Sequence, residues 1–336
     1  MNTIARPISR KRMAGLTLVE LMVAMTIGLM LLSGISYLFL GARQTFRTTE
    51  NLSRIQENAR YALEVMARDI RMAGYVGCGN MRNVTLNTIA NPPIPPLLTT
   101  NALTGSDWPG ATVSNFSGTG VNRVAGDSLS VMGAFGGGVP LAGNLVPSNA
   151  NVQLVDNRYG FAVNDVLVVT NCVNADMFRA TNVSSSGSIT TIAHSNSTNT
   201  GNRIGAYGGD AFAFKVEQYS YFIGANPTGR RSLYKTSLTE GTRELIEDVW
   251  DMQIVYGVDT VGDNAVDQYM DATAVALAGR WPDVLTVQLQ FLLASAEDGI
   301  TAAAQVYTFN GTATTAGDRR MYQVFTSTIG VRNRLP

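Results

Sequence analysis

The sequence predicts an α+β fold in which one long N-terminal helix packs on antiparallel β-sheet. Three observations carry this. No proline interrupts the chain between Leu16 and Gly74, and apolar residues there recur at helical spacing. Beyond Gly79 the pattern changes to short runs rich in β-branched and aromatic residues. Glycine makes up 33 of the 336 residues, and Asn, Thr and Ser crowd positions 80–210, a composition of turns, short strands and loops.

The helix begins apolar. From Leu21 to Leu40 twenty residues carry no charge, the length needed to span ~30 Å of hydrocarbon. Arg6, Arg10, Lys11 and Arg12 precede this run with no acidic residue among them, and Arg43 and Arg47 follow it. The denser leading cluster predicts a cytoplasmic N-terminus and a body outside the cytoplasm. A cleaved signal peptide shares the basic start and apolar core, and a plain anchor shares the length. Glu20 suits neither, because a charge inside a bilayer segment costs ~2.5–3.5 kcal/mol at the centre and less near the edge. No good small-x-small cleavage site follows the apolar run.

Gly15-Leu16-Thr17-Leu18-Val19-Glu20, between a short basic leader and an apolar helix, resembles the type IV prepilin motif. The resemblance implies that a prepilin peptidase cuts after Gly15 on the cytoplasmic side, and that Leu16 becomes the N-methylated first residue. Leu16 stands where the family usually has Phe, sometimes Met or Leu. Glu20 falls at the fifth mature position and is implied to act in subunit assembly. Its chemistry is intelligible, since a carboxylate in apolar surroundings is neutralised by the free α-amine of a neighbouring subunit.

The second half of the helix is amphipathic. Phe46, Leu52, Ile55, Ala59, Ala62 with Leu63, Met66, Ile70 and Ala73 form an apolar stripe, and Glu50, Arg54, Glu57, Arg60, Glu64, Arg68 and Arg71 lie on the other face. Glu50–Arg54 and Glu64–Arg68 are i,i+4 pairs in the favoured orientation. Gly74 is placed to cap the C-terminus. A helix from Leu16 to Ala73 would be about 87 Å long at ~1.5 Å per residue. The boundaries expected are a leader at 1–15, a transmembrane and filament-core segment at 16–40, the amphipathic half at 41–74, and a β-rich head at 75–336. Within the head, 80–210 reads as a variable part and 211–336 as a core sheet.

Residues Ala59–Glu64, Arg68–Tyr75 and Gly77-Cys78, with Asp318–Arg320, Gln323–Thr326 and Arg332–Arg334, are similar to the PilW group of minor pilins. This narrower resemblance implies a pilin-like subunit that helps prime and assemble the type IV pilus with other minor pilins, the major pilin and the inner-membrane assembly machinery. It further implies a tip complex that displays an adhesin and supports adhesion and twitching motility. Such a subunit is a single-pass inner-membrane protein with a periplasmic body before it reaches the pilus on the cell surface. A pseudopilin of a type II secretion system, which shares the N-terminus and body plan, is the alternative.

Charge and cysteines agree with export. The chain has 25 basic and 25 acidic residues, but four basic residues lie in the leader, leaving 21 against 25. A mildly acidic body exerts no general pull on nucleic acid. In an exported chain Cys78 and Cys172 predict a disulfide, closing a loop of about 95 residues worth about 4–5 kcal/mol in the chain-entropy model. Two buried free thiols are the other reading.

In the head, strands are expected at Ser128–Met132, Val166–Thr170, Ser188–Ile192, Ala211–Phe222, Ser232–Thr236, Val249–Tyr256, Val284–Leu293, Ala304–Phe309 and Gln323–Val331. Residues 182–203 read as an exposed loop or weak hairpin. The only histidine, His194, falls there and reads as an exposed loop residue. No metalloprotease, thiol-pair, nucleophile-elbow or P-loop motif occurs, so neither catalysis nor a cofactor is expected. The Gly-rich run Gly133–Gly138 reads as a turn. Asp259, Asp263, Asn264, Asp267 and Asp271 are spaced closely enough to invite calcium, though the order departs from a calcium-loop motif and Asx turns explain it as well. No metal site is assigned. Arg230-Arg231, Arg319-Arg320 and Arg332-Asn333-Arg334 suit salt bridges or subunit contacts better than a nucleic-acid patch, because no aromatic residues interleave them.

Overall fold

The computed structural model describes residues 17–77, 84–91, 101–109, 120–237 and 239–334. The chain divides into two units, Met1–Glu50 and Asn51–Pro336. Helix α1 runs Leu18–Arg71, beginning two residues after Leu16. Gly74 takes the left-handed φ of 76° beyond its end, and its N–H leaves the helix to donate to the Met132 carbonyl of the sheet at 2.8 Å. In the first unit the apolar side chains from Leu18 to Leu40 are exposed. In the second unit the stripe is buried from Ile55 onward, through Ala59, Ala62, Met66, Ile70 and Ala73. Phe46, expected at the head of that stripe, is exposed.

The body is built of short strands. They are β1 (Thr85–Thr88), β2 (Leu103–Ser106), β3 (Arg123–Ala134), β4 (Val139–Pro140), β5 (Asn151–Leu154) and β6 (Val166–Thr170). Then come β7 (Asn174–Arg179), β8 (Asn182–Ser186), β9 (Ile189–Ala193), β10 (Phe212–Ala225), β11 (Arg231–Ser237) and β12 (Gly241–Glu247). The last are β13 (Val249–Val258), β14 (Gln268–Met270), the short helix α2 (Ala272–Leu277), β15 (Val284–Ala294), β16 (Val306–Phe309), β17 (Thr312–Thr315) and β18 (Tyr322–Gly330). All nine expected strands are present, Val166–Thr170 with the expected ends and the other eight with at least one end shifted. The Gly-rich run closes β3 and turns into β4.

The long strand β10 organises the larger, nine-stranded sheet. Along one edge its first residues pair with β6 and its last with β11; along the other they pair with β4 and β3. Pairing is antiparallel except for β1 on β7. A second sheet runs β14-β13-β15-β18. The stripe of α1 packs into one core with residues of both sheets, among them Leu129, Tyr221, Leu233, Met252, Tyr256, Leu289 and Phe291. Strands from both sides of residue 210 therefore share a sheet.

One buried ion pair fastens α1 to this core. Asp69 breaks the apolar stripe, and its Oδ2 receives the Lys235 ammonium of β11 at 2.6 Å and the Tyr221 hydroxyl of β10. Lys235 Nζ also lies 3.4 Å from the Tyr219 ring centroid. A buried carboxylate and ammonium each need this company, because an unpaired charge out of water is costly.

The hairpin β8–β9, with β5, forms a three-stranded sheet over a second core. It corrects the reading of His194, which is fully buried. Strand parity is the cause: Thr190, Ile192 and His194 point the same way, and all three are buried. The ring lies 4.9 Å from that of Phe178, and neither of its nitrogens has a hydrogen-bond partner among the described residues.

Candidate functional site: the N-terminal assembly segment

The described chain enters the site at Thr17. Its N–H and hydroxyl donate to Glu20 Oε2 at 3.0 and 2.9 Å, and the Glu20 N–H donates to Thr17 Oγ1 at 3.3 Å. This is a reciprocal capping box, with Thr17 as the N-cap and Glu20 as the third helical residue. It follows from the T-x-x-E spacing, a signal legible in the sequence but overshadowed there by Glu20 itself. The helix thus starts just after the expected cut, and the carboxylate turns back toward the N-terminus. Gly15 and Leu16 lie outside the described residues.

Beyond the cap, polar side chains in the apolar run satisfy themselves. The Thr26 hydroxyl donates to the Met22 and Val23 carbonyls, and Ser33 to Met30 at 2.8 Å. A hydroxyl that bonds back to its own helix needs no water, which suits a segment in hydrocarbon. The exposed side chains here include Leu21, Met22, Ile27, Leu31, Leu32, Ile35 and Phe39. No residue in the most apolar 18-residue stretch is buried, so this surface needs lipid or partner helices to cover it.

The remaining candidates resolve separately. Cys172 has no free thiol, and Cys78 lies outside the described residues, so their pairing stays a proposal. Asp259, Asp263 and Asp267 come together with ligand oxygens within 4.8 Å of one another. Asp259 accepts the Gly262 and Asn264 N–H groups, and the Thr260 N–H and hydroxyl hold the Asp267 carboxyl below the usual range. These bonds fold the loop by itself. Asp271 instead caps α2, accepting the Ala274 N–H at 2.7 Å.

The arginines act locally. Arg230 pairs with Glu247 and Asp248, Arg320 donates to the Ser295 and Ala296 carbonyls, and buried Arg334 donates to those of Trp281 and Val284. Asp69, Tyr221 and Lys235 are a constellation that the sequence pattern does not single out. The available signal is an acid one position before Ile70 on the buried stripe.

Comparison with known families fits this geometry. Residues 10–36 match the prokaryotic N-terminal methylation motif. Residues 220–333 match the family described as type IV pilus-assembly protein W, a stretch running from the middle of β10 to the turn after β18. No curated protein and no solved structure matches the chain. The methylation motif at one end and the PilW match at the other support a PilW-type, prepilin-like protein.

Proposed function

We propose that this protein is a minor pilin of a type IV pilus, cut by prepilin peptidase after Gly15, N-methylated at Leu16, and assembled with other minor pilins and the major pilin at the inner membrane. The observation that carries the reading is an exposed apolar helix that starts, through the Thr17–Glu20 capping box, immediately after the peptidase site. The match at residues 220–333 favours the pilus over a secretion pseudopilin. The finer roles proposed are priming of assembly in a tip complex, display of an adhesin, and support of adhesion and twitching motility, with the N-terminus cytoplasmic and the body periplasmic before assembly. A bridge between Cys78 and Cys172 completes the exported body.

Mass spectrometry of the protein from cells with and without prepilin peptidase tests the reading. With the peptidase, the chain is expected to begin at methylated Leu16 and, without reduction, to contain a linked Cys78–Cys172 peptide pair. A leader retained in both strains overturns the pilin assignment, and two free thiols overturn the bridge. Deletion of the gene is expected to remove surface pili; lost exoprotein secretion with intact pili points to the pseudopilin alternative instead.

Glu20→Ala is expected to leave cleavage largely intact and to block entry into the filament. Glu20 carries the charge that a neighbouring subunit's α-amine is proposed to meet. Incorporation at the normal level, read by immunoblot of sheared pili, would remove that role.

A further inference from the structure

We propose that Lys215 and Asp165 are the site of a self-catalysed covalent modification, an amide bond from the Lys215 side-chain nitrogen to the Asp165 side-chain carbon Cγ, formed inside the folded head with Glu217 carrying the protons. The inference goes beyond the subunit reading above and does not depend on it.

Sheet register brings the three side chains together. Lys215 and Glu217 lie two apart on β10 and so project from one face of it. Asp165 immediately precedes β6, whose Val166 pairs with Val216, and antiparallel register then sets Asp165 opposite Glu217. Lys215 Nζ lies 3.0 Å from Asp165 Oδ1 and 3.9 Å from Glu217 Oε1. The other Asp165 oxygen accepts the Ala162 N–H at 2.8 Å, which fixes the carboxyl with Oδ1 toward the lysine. Asp165 and Glu217 are buried, whereas 24% of the Lys215 side chain stays exposed and leaves a way out for a small product.

Two carboxyls against one ammonium are more negative charge than a buried site holds comfortably. The Thr239 hydroxyl donates to Glu217 Oε1 at 2.6 Å, yet Glu217 Oε2 is buried with no partner among the described residues. Burial, reinforced by the Asp165 charge, pushes the Glu217 carboxyl up from its ordinary range, against the opposing pull of Thr239 and Lys215. A carboxyl with raised proton affinity takes a proton from an ammonium and passes it on, the work of a general acid–base. Holding amine and carboxyl in contact supplies the remaining advantage, because the reaction becomes intramolecular.

The step balances without an oxidant or a further reactant. Glu217 carries one proton from the Lys215 ammonium to an Asp165 oxygen, and the freed nitrogen lone pair forms a bond to Asp165 Cγ. A second proton passes from that nitrogen to the same oxygen, the C–O bond breaks with its electron pair on oxygen, and water leaves. One ammonium and one carboxylate become one amide and one water, and Glu217 is regenerated. The Asp69–Lys235 pair differs: its third partner is the Tyr221 hydroxyl, not a second carboxyl, and it stays an ion pair. The amide fastens the start of β6 to β10 and closes the intervening chain into a covalent loop.

The test is mass spectrometry of the full chain purified in detergent, intact and after reduction and trypsin digestion. The expected result is residues 159–179 joined to residues 204–230, lighter than their sum by one water, and an intact chain lighter by the same mass. Lys215→Arg is expected to abolish both signals. Glu217→Gln is expected to slow their appearance in freshly made chain about 100-fold or more, with thermal melting showing that both variants fold.

A wild-type chain with the two peptides separate and no water lost is an ion pair only and overturns the inference. Water loss that persists in Lys215→Arg overturns the site, and linkage undiminished in Glu217→Gln overturns the role of that carboxyl. The same spectra read the N-terminus: a cleaved and methylated chain without the linkage sinks only this inference, whereas a linked chain that keeps its leader sinks only the subunit reading.

Discussion

His194 is a single side chain with a measurable consequence. Burial among apolar neighbours lowers its proton affinity from the ordinary value of 6.5, so the folded state holds it neutral. The unfolded chain takes up a proton below about pH 6.5 that the folded chain does not, and stability falls as the pH drops through that value. The slope contributed is at most about 1.4 kcal/mol per pH unit. His194→Leu, which replaces two unpartnered nitrogens with carbon, is expected to reduce the loss between about pH 7.5 and pH 5 in chemical denaturation. An unchanged pH dependence counts against this account. The sequence misleads at His194 because the Ser/Thr/Asn composition around it suggests a loop, while the alternation Thr190–Ile192–His194 sets its direction. At Glu20 the reverse holds: the acid stands out against twenty uncharged residues, and the Thr17 partner lies at a recognisable spacing.

At the scale of elements, the fastening of α1 is the point most open to test. Asp69→Ala leaves Lys235 buried without its carboxylate and is expected to cost about 3–5 kcal/mol, read by chemical denaturation of the full chain in detergent. Asp69→Leu combined with Lys235→Met is expected to recover most of that loss, because a well-packed apolar pair avoids the desolvation of both charges. A double variant as unstable as Asp69→Ala would show that Tyr221, which also donates to Asp69, is the more important partner. The helix itself was legible because a proline-free, periodic stretch ends on a glycine. The strands β1, β2, β5, β7 and β12 were not. β1, β2 and β5 have four residues each and owe their extended form to partners distant in the chain, whereas β7 and β12 pair with the strands just before them, and β12 is mostly outside the core.

For the whole molecule, the α+β class could be read from the change of period near Gly79, but the assembly of sheets could not. β3 and β6 reach β10 across intervening turns, the hairpin β8–β9 and irregular chain, and no local pattern encodes such pairings. The charge total is equally silent about surface arrangement. A nearly balanced chain carries an acidic groove on one flank of α1 and a basic one on the other.

The cap at Gly74 has a mechanical meaning as well. Its N–H is bound to Met132 of β3, and the next residue, Tyr75, accepts the Ala134 N–H at 2.7 Å. Five residues earlier, Asp69 is held by Lys235 and Tyr221. A rod gripped at two adjacent points can neither roll about its axis nor slide lengthwise without tearing a buried ion pair or a backbone bond. Tension or torque reaching this part of α1 is therefore handed to the sheets, and the azimuth of Arg60 and Arg71 is locked to the body.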